Sequence, residues 1–136
     1  MKISASVKNT AASHEVSVST QGSVRPLAIP ARPAGGSAVN GGEFLMLALA
    51  TCYCNDLYRE AARLGIAIEG VEVEASADFP GIGLAASNVT YRARIQSAET
   101  PERIQQLINE TDAVAEIHNT VRAPVAVNLV PWSATP

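Results

Sequence analysis

The sequence has no run of clustered basic residues, and its formal net charge is -3 over 136 residues. Proteins that bind nucleic acid or an anionic membrane surface concentrate Lys and Arg on one face or along one segment. This absence argues against both partner classes and favours a small or neutral partner. A chain of this length fits one domain, residues 1–136, and chains of this size often gain stability by pairing with a copy of themselves.

Long apolar runs are also absent. The N-terminus, MKISASVKNTAASHEV, has one early Lys with no apolar stretch behind it, so it does not have the form of a secretory signal. No segment approaches the roughly 20 apolar residues that a membrane-spanning helix needs. We therefore expect a soluble, cytoplasmic protein.

Cysteine is scarce, since Cys52 and Cys54 are the only two in the chain. In a chain without an export signal, two cysteines so close together do not indicate a disulfide framework. On a helix, residues two apart point about 200° away from each other, so an intact helix would keep these thiols from pairing. Both are expected to be free thiols.

The periodicity of apolar residues predicts an α+β fold with a mainly antiparallel sheet and helices on one face of it. Alternating segments predict strands at residues 2–8, 15–20, 24–30, 67–79, 87–97 and 124–132. A Pro- and Gly-rich loop at 31–42 precedes a long helix from about Glu43 to Arg63, which Gly65 ends. Thr100 and Pro101 begin a helical region, 101–123, that holds two short helices or one helix broken near 109–112.

The first half of the long helix, FLMLALATCYC, is apolar on every face. Such a helix is normally surrounded by protein, and a sheet on one side with a second subunit on the other would surround it. Cys52 lies in this half, about ten residues into the helix and beyond the reach of the helix dipole. Asp56, one turn later, shares its face and would raise the pKa of its thiol. On residue chemistry alone, both cysteines are better explained as buried apolar filler.

A metal site is a weaker interpretation of the same residues. Its ligands would be Cys52, Cys54, His14 and His118, whose separation fits no usual zinc spacing. We therefore predict neither a metal nor an organic cofactor.

Two segments together resemble one known family. They are GGEFLMLALATCYCNDLYREAARLGIAIEGVEVEASADF and, further on, IHNTVRAPVAV, and the similarity extends from about Gly35 to Val130. They resemble the OsmC-like family, which includes the OsmC proteins and the organic hydroperoxide resistance proteins. The resemblance implies an intertwined homodimer with active sites at the subunit interface. It also implies a thiol peroxidase that reduces organic hydroperoxides, which connects the protein to oxidative-stress defence.

Matched to the family position by position, Cys52 corresponds to the reactive cysteine. The second, resolving cysteine opens a motif similar to C-P-x-x-N-T, and the matching segment here is AEIHNT. Ala115 stands in place of that cysteine, whereas Asn119 and Thr120 persist. The family's two-cysteine cycle therefore cannot close within this chain unless Cys54 takes the second part, which the helical geometry opposes. A one-cysteine cycle, in which an external thiol reduces the oxidised Cys52, is chemically possible.

Two further family positions also differ in this chain. Gly41 and Gly42 occupy the places of a Pro-Glu pair at the head of the helix, and Glu43 comes one place late. The family's N-terminal Arg is missing from residues 11–13. Two other arginines follow that could replace it: Arg25 and Arg32.

His118 is a second candidate catalytic residue, because it shares a helical face with position 115 and could approach Cys52. A Cys–His pair would lower the thiol pKa and supply a proton donor. The simpler alternative is that His118 caps or hydrogen-bonds the end of its helix before Pro124.

Three functions are therefore compatible with the sequence. The first is a one-cysteine peroxidase. The second is a non-catalytic protein that binds a small apolar ligand in a pocket at the dimer interface. The third is acyl or sulfur transfer by Cys52 and His118.

Overall fold

The computed structural model describes residues 1–134 and confirms the α+β prediction. Its elements are β1 (Ile3–Asn9), β2 (His14–Thr20), β3 (Ser23–Leu27), α1 (Gly41–Leu64), β4 (Gly70–Asp78), β5 (Ser87–Gln96), α2 (Pro101–Val114) and α3 (Glu116–Arg122). Both sheets are antiparallel, one of three strands and one of two. Backbone contacts divide the chain into two compact units, Met1–Phe44 and Leu45–Pro136.

The first unit is built on the three-stranded sheet, in the order β1, β2, β3. Gln21 and Gly22 both have positive φ angles, 50° and 85°, between paired strands. Two consecutive residues of this kind form the type I′ turn that suits the twist of a tight hairpin. Pro26 lies in β3, which is an edge strand, the position where a residue without an N–H donor is tolerated in a sheet.

The start of α1 is fixed by a reciprocal pair of hydrogen bonds. The backbone N–H of Asn40 donates to Glu43 Oε2 at 2.7 Å, and the backbone N–H of Glu43 donates to Asn40 Oδ1 at 2.9 Å. This is a capping box, in which two otherwise unpaired helix donors find side-chain acceptors. The helix ends at Leu64, and Gly65 follows with φ 67°, as predicted for a helix stop.

The second unit has its core between α1, α2 and the inner face of the two-stranded sheet. Tyr53, Leu57 and Leu107 are at most 1 % exposed at its centre. Alternate residues of β4 and β5, Val71, Val73, Tyr91, Ala93 and Ile95, pack against this cluster. The other face carries the cross-strand ion pairs Glu72–Arg94 and Glu74–Arg92. One face is therefore apolar and one charged, as the period of two predicts.

The helical region after β5 contains two helices, but the break lies later than predicted. Thr100 caps α2 through a hydrogen bond from the backbone N–H of Arg103, with Pro101 at the first helical position. The prediction of a break near 109–112 is wrong, because α2 continues to Val114. The break occurs at Ala115, whose extended backbone (φ -70°, ψ 104°) ends α2 and begins α3.

The predicted closing strand at 124–132 is wrong for the single chain. Residues 124–130 have no regular secondary structure, and the side chains of Val127 and Leu129 are fully exposed. A strand needs a neighbour that supplies hydrogen-bond partners, and within residues 1–134 no strand pairs with this segment.

The apolar first half of α1 is only partly enclosed. Leu49 is buried, whereas Leu47 is 57 % exposed, so the protein does not surround this half on every face. The second subunit invoked to cover it stays a prediction. No helix in the described residues 1–134 combines the length and hydropathy needed to cross a membrane.

The core predicts a large effect for truncation of its central leucine. Leu57 has no exposed area, so Leu57→Ala is expected to lower the free energy of unfolding by about 2–5 kcal/mol. Leu84→Ala is the control, because Leu84 is 62 % exposed, and its effect should stay within about 0.5 kcal/mol. Urea unfolding measures both variants, and a Leu57→Ala loss as small as that of the control would contradict this core.

Candidate active site around Cys52

The thiol of Cys52 faces a buried carboxylate. Cys52 Sγ donates a hydrogen bond to Asp56 Oδ2 at 3.3 Å, one helical turn further along α1. Cys52 is partly buried, and Asp56 is only 5 % exposed. The prediction that these two residues share a helical face is confirmed. Apolar filler does not describe Cys52, since its sulfur contacts an ionisable group.

Arg59 ties this carboxylate into a network of charges. Its Nη1 lies 2.7 Å from Asp56 Oδ1 and 3.3 Å from Glu116 Oε1, and its Nε lies 3.1 Å from Glu60 Oε1. Arg63 holds the other oxygen of Glu60 at 2.6 Å. Buried carboxylates are tolerated when they are paired in this way. The two oxygens of Asp56 therefore have separate partners, one a guanidinium and the other a thiol.

The surroundings of Cys52 favour its protonated form. Burial raises the pKa of the Cys52 thiol, and Asp56 raises it further through the hydrogen bond and its charge, while backbone hydrogen bonding from Ile117 works in the opposite direction. Burial also raises the pKa of Asp56, although Cys52 and Arg59 both act to lower it. The predicted effect of Asp56 on the thiol is confirmed in direction. At neutral pH the Cys52 thiol is therefore protonated.

Cys54 does not join this arrangement. Both cysteines are free, and the thiol of Cys52 is directed at Asp56. The absence of a bond between them agrees with the predicted divergence of the two side chains on α1.

His118 lies in an aromatic cluster and has no hydrogen bond to Cys52. It is 3 % exposed, and its ring centroid lies 4.3 Å from that of Tyr91 and 5.5 Å from that of Tyr53. Neither ring nitrogen has a hydrogen-bond partner among residues 1–134. The alternative that His118 hydrogen-bonds the end of its helix is therefore wrong, because aromatic packing holds the ring instead.

Charged groups surround this cluster. Tyr91 donates a hydrogen bond to Asp112, and Arg122 Nη2 lies 2.5 Å from Asp112 Oδ1. Burial lowers the pKa of His118, and the charge of Arg122 lowers it further, whereas Asp112 and Asp56 raise it. The imidazole is therefore neutral at physiological pH, and it cannot stabilise a thiolate by its charge.

Side chains of the motif that begins at position 115 donate hydrogen bonds to backbone carbonyls in this chain. Ala115, in place of the second cysteine, is fully buried in the core cluster. Asn119 Nδ2 donates to the carbonyl of Ala113, and Thr120 Oγ1 donates to the carbonyl of Glu116. The Asn119 bond thus connects α3 to the end of α2, whereas the Thr120 bond lies within α3.

The other family positions have structural partners. Glu43 is committed to the capping box described above. Arg32, one of the two candidate replacements for the missing arginine, donates from Nε to the carbonyl of Ser37 within its own loop.

Sequence reasoning missed two charged residues near Cys52: Arg59 and Glu116. The spacing of Asp56 and Arg59, three residues apart on a helix, was the available signal for the first. The approach of Glu116 depends on the fold, because it lies on another helix.

One group of side chains in the described residues could share a cation. Ligand atoms of Cys52, Asp56 and Glu116 lie within 4.8 Å of one another. Arg59 already pairs with both carboxylates, so the chain itself supplies a cation to this group. A metal is therefore not needed to explain why these residues lie together.

The raised pKa of Cys52 predicts slow alkylation at neutral pH. In a Cys54→Ser background, the rate of reaction with iodoacetamide should follow the thiolate and rise with a midpoint above that of free cysteine. A Cys52→Ser, Cys54→Ser double variant gives the blank. A midpoint below that of free cysteine would contradict the described environment.

His118 predicts a loss of stability on acidification. Its pKa is lowered on folding, so below the unfolded value of about 6.5 the unfolded chain binds a proton that the folded chain resists. Stability should therefore fall as the pH drops from about 6.5 towards the folded pKa, and His118→Phe should reduce this fall. Urea unfolding at several pH values measures it. His14→Gln is the control. If His118→Phe keeps the pH dependence of the parent protein, protonation of His118 is not the cause of the loss of stability.

A family model described as OsmC-like protein matches residues 34–130. No curated protein sequence matches the chain.

Several solved structures share the fold. An OsmC-like protein from Mycoplasma pneumoniae superposes with a TM-score of 0.64 at 15 % identity, covering 90 % of this chain and 87 % of its own. An organic hydroperoxide resistance protein from Elizabethkingia anophelis superposes with a TM-score of 0.63 at 18 % identity, covering 91 % of this chain and 90 % of its own. Another, from Legionella pneumophila, superposes with a TM-score of 0.61 at 19 % identity, covering 90 % of each chain. The family match spans most of the chain and agrees with the predicted extent of the resemblance, so this protein belongs to the OsmC-like family.

Proposed function

We propose that this protein is a one-cysteine thiol peroxidase that reduces organic hydroperoxides through Cys52 and acts in oxidative-stress defence. The observation that carries the proposal is the setting of Cys52. The sequence resemblance matches this free, partly buried thiol to the family's reactive cysteine, and the thiol is hydrogen-bonded to a carboxylate. Similar solved structures include organic hydroperoxide resistance proteins, which supports the choice of substrate class.

The proposed first step is attack of the Cys52 sulfur on the terminal oxygen of the hydroperoxide. The sulfur–oxygen bond forms as the oxygen–oxygen bond breaks, which gives a sulfenic acid and an alcohol. The sulfur is oxidised by two electrons and the hydroperoxide is reduced by two.

The second half of the cycle needs an external thiol. Ala115 replaces the resolving cysteine, and Cys54 is not paired with Cys52. One molecule of a small thiol would displace water from the sulfenic acid to form a mixed disulfide. A second would release Cys52 as a thiol together with the oxidised reductant.

We further propose that the working form is a cytoplasmic homodimer. Apolar side chains that the single chain leaves exposed support the dimer: Leu47, Val127, Leu129 and Trp132. His118 remains a candidate proton donor from the sequence, although its contacts to Tyr53 and Tyr91 favour a packing role.

A second candidate function is binding of a small apolar ligand without catalysis. The raised pKa of Cys52 favours it, because a protonated thiol is a poor nucleophile. Under this alternative, Cys52→Ser would leave ligand binding unchanged. Acyl or sulfur transfer by Cys52 and His118 has less support, since the two residues are not hydrogen-bonded to each other.

The test is oxidation of the reduced protein by cumene hydroperoxide. Sulfenic acid on Cys52, trapped with dimedone and located by mass spectrometry, should form faster than on a small free thiol at the same pH. Cys54→Ser should retain the reaction, and Cys52→Ser should lose it.

Turnover should then depend on an added small thiol. Oxidation of Cys52 no faster than that of a free thiol would contradict the peroxidase and favour the ligand-binding alternative.

A further inference from the structure

We infer that Asp56 is the catalytic base and acid of the Cys52 reaction. It would accept the thiol proton as sulfur attacks and deliver that proton to the departing oxygen. This inference rests on the proposed peroxidase function. It assigns to Asp56 a task for which the chain offers neither the Glu at the family's helix-head position nor an Arg at residues 11–13.

The geometry carries the assignment, because a base must lie within hydrogen-bond reach of the proton that it removes. The thiol proton of Cys52 is already directed at Asp56 Oδ2, over a sulfur–oxygen distance of 3.3 Å. No rearrangement is needed before proton transfer. Both residues lie on one rigid helix, α1, which fixes their separation.

Arg59 positions the base. Its Nη1 holds Asp56 Oδ1 at 2.7 Å, which leaves Oδ2 to the thiol. The same guanidinium also lies 3.3 Å from Glu116 Oε1, so its charge is shared between carboxylates. The negative charge of Asp56 is therefore only partly offset by Arg59. Burial raises its pKa, which makes it a stronger proton acceptor than an exposed carboxylate.

The step balances within the site. Sulfur attacks the terminal oxygen of the hydroperoxide, the S–O bond forms and the O–O bond breaks. The thiol proton passes to Asp56 Oδ2 and from there to the alkoxide, which leaves as an alcohol. The products are a Cys52 sulfenic acid, an alcohol and an ionised Asp56, so no other proton donor is required.

The opposite role is also chemically reasonable, and the two roles predict different results. If Asp56 only suppressed the thiolate, its removal would speed every reaction of Cys52. If Asp56 is the base, its removal should slow reduction of the hydroperoxide, which needs a proton delivered to the leaving oxygen. Alkylation by iodoacetamide needs no such proton and depends on thiolate alone.

The experiment compares both reactions at pH 7 in Asp56→Asn, in the full-length chain with Cys54→Ser. The rate of oxidation by cumene hydroperoxide should fall by about 10- to 100-fold. This loss reaches at most the lower end of the rate enhancement that a general acid or base usually contributes. Alkylation should be unchanged or faster, since a charge that raises the thiol pKa is gone. Asp56→Glu should recover part of the oxidation rate.

Glu60→Gln is the matched control. Glu60 is another buried carboxylate of α1 and pairs with the same Arg59, but it has no hydrogen bond to Cys52. It should keep the oxidation rate of the parent. If the oxidation rate fell as far in Glu60→Gln as in Asp56→Asn, the assignment would be overturned. The loss would then come from disturbance of the ion pairs around Arg59 and not from the base itself.

A second measurement needs no Asp56 variant and so does not depend on its folding. With Asp56 as base, the oxidation rate of the parent protein should stay level as the pH falls from the pKa of Cys52 towards that of Asp56. Without a base, it should fall tenfold per pH unit.

Besides an equal fall in Glu60→Gln, three outcomes overturn the inference. They are a tenfold fall per pH unit in the parent, oxidation that rises together with alkylation in Asp56→Asn, and a parent that oxidises no faster than a free thiol. The last also removes the proposed function, whereas the first two leave a peroxidase that lacks this base.

Discussion

The site depends on one constraint: helix α1 buries carboxylates on the same side as its apolar stripe. Asp56 and Glu60 are both buried one turn apart, next to Leu57 and Ala61 of the core. A buried carboxylate without a partner is destabilising, so each needs a cation. Arg59 is the cation that pairs with both Asp56 and Glu60, and it also pairs with Glu116 on α3. The same ion pairs that allow α1 to pack therefore also place a carboxylate against the Cys52 thiol.

This arrangement differs in its electrostatics from a thiol activated by a nearby cation. A guanidinium in contact with sulfur would favour the thiolate, whereas here Asp56 stands between Arg59 and Cys52. The thiol therefore keeps its proton, and under the proposed function the reaction of Cys52 requires transfer of that proton to Asp56. Such a site would protect Cys52 from indiscriminate alkylation and still allow attack on a substrate whose leaving oxygen can take up the proton.

The local pattern of the sequence predicted much of the fold, because periodicity and capping act over short distances. The edge position of β3, the stop at Gly65 and the Thr100 cap follow from single residues. The break at Ala115 and the unpaired segment 124–130 did not follow, since each depends on contacts between distant parts. At the site, Asp56 was predictable from helical spacing. Glu116 and the aromatic packing of His118 required the tertiary structure.

The most direct test of the central claim is the infrared S–H stretch of Cys52, recorded in a Cys54→Ser background. A thiol that donates to a carboxylate has a weakened S–H bond. The band should therefore lie at lower frequency than that of a free thiol, and Asp56→Leu should return it to the free-thiol position. An S–H band at the free-thiol frequency in the parent, unmoved by Asp56→Leu, would contradict the Cys52–Asp56 hydrogen bond on which this account rests.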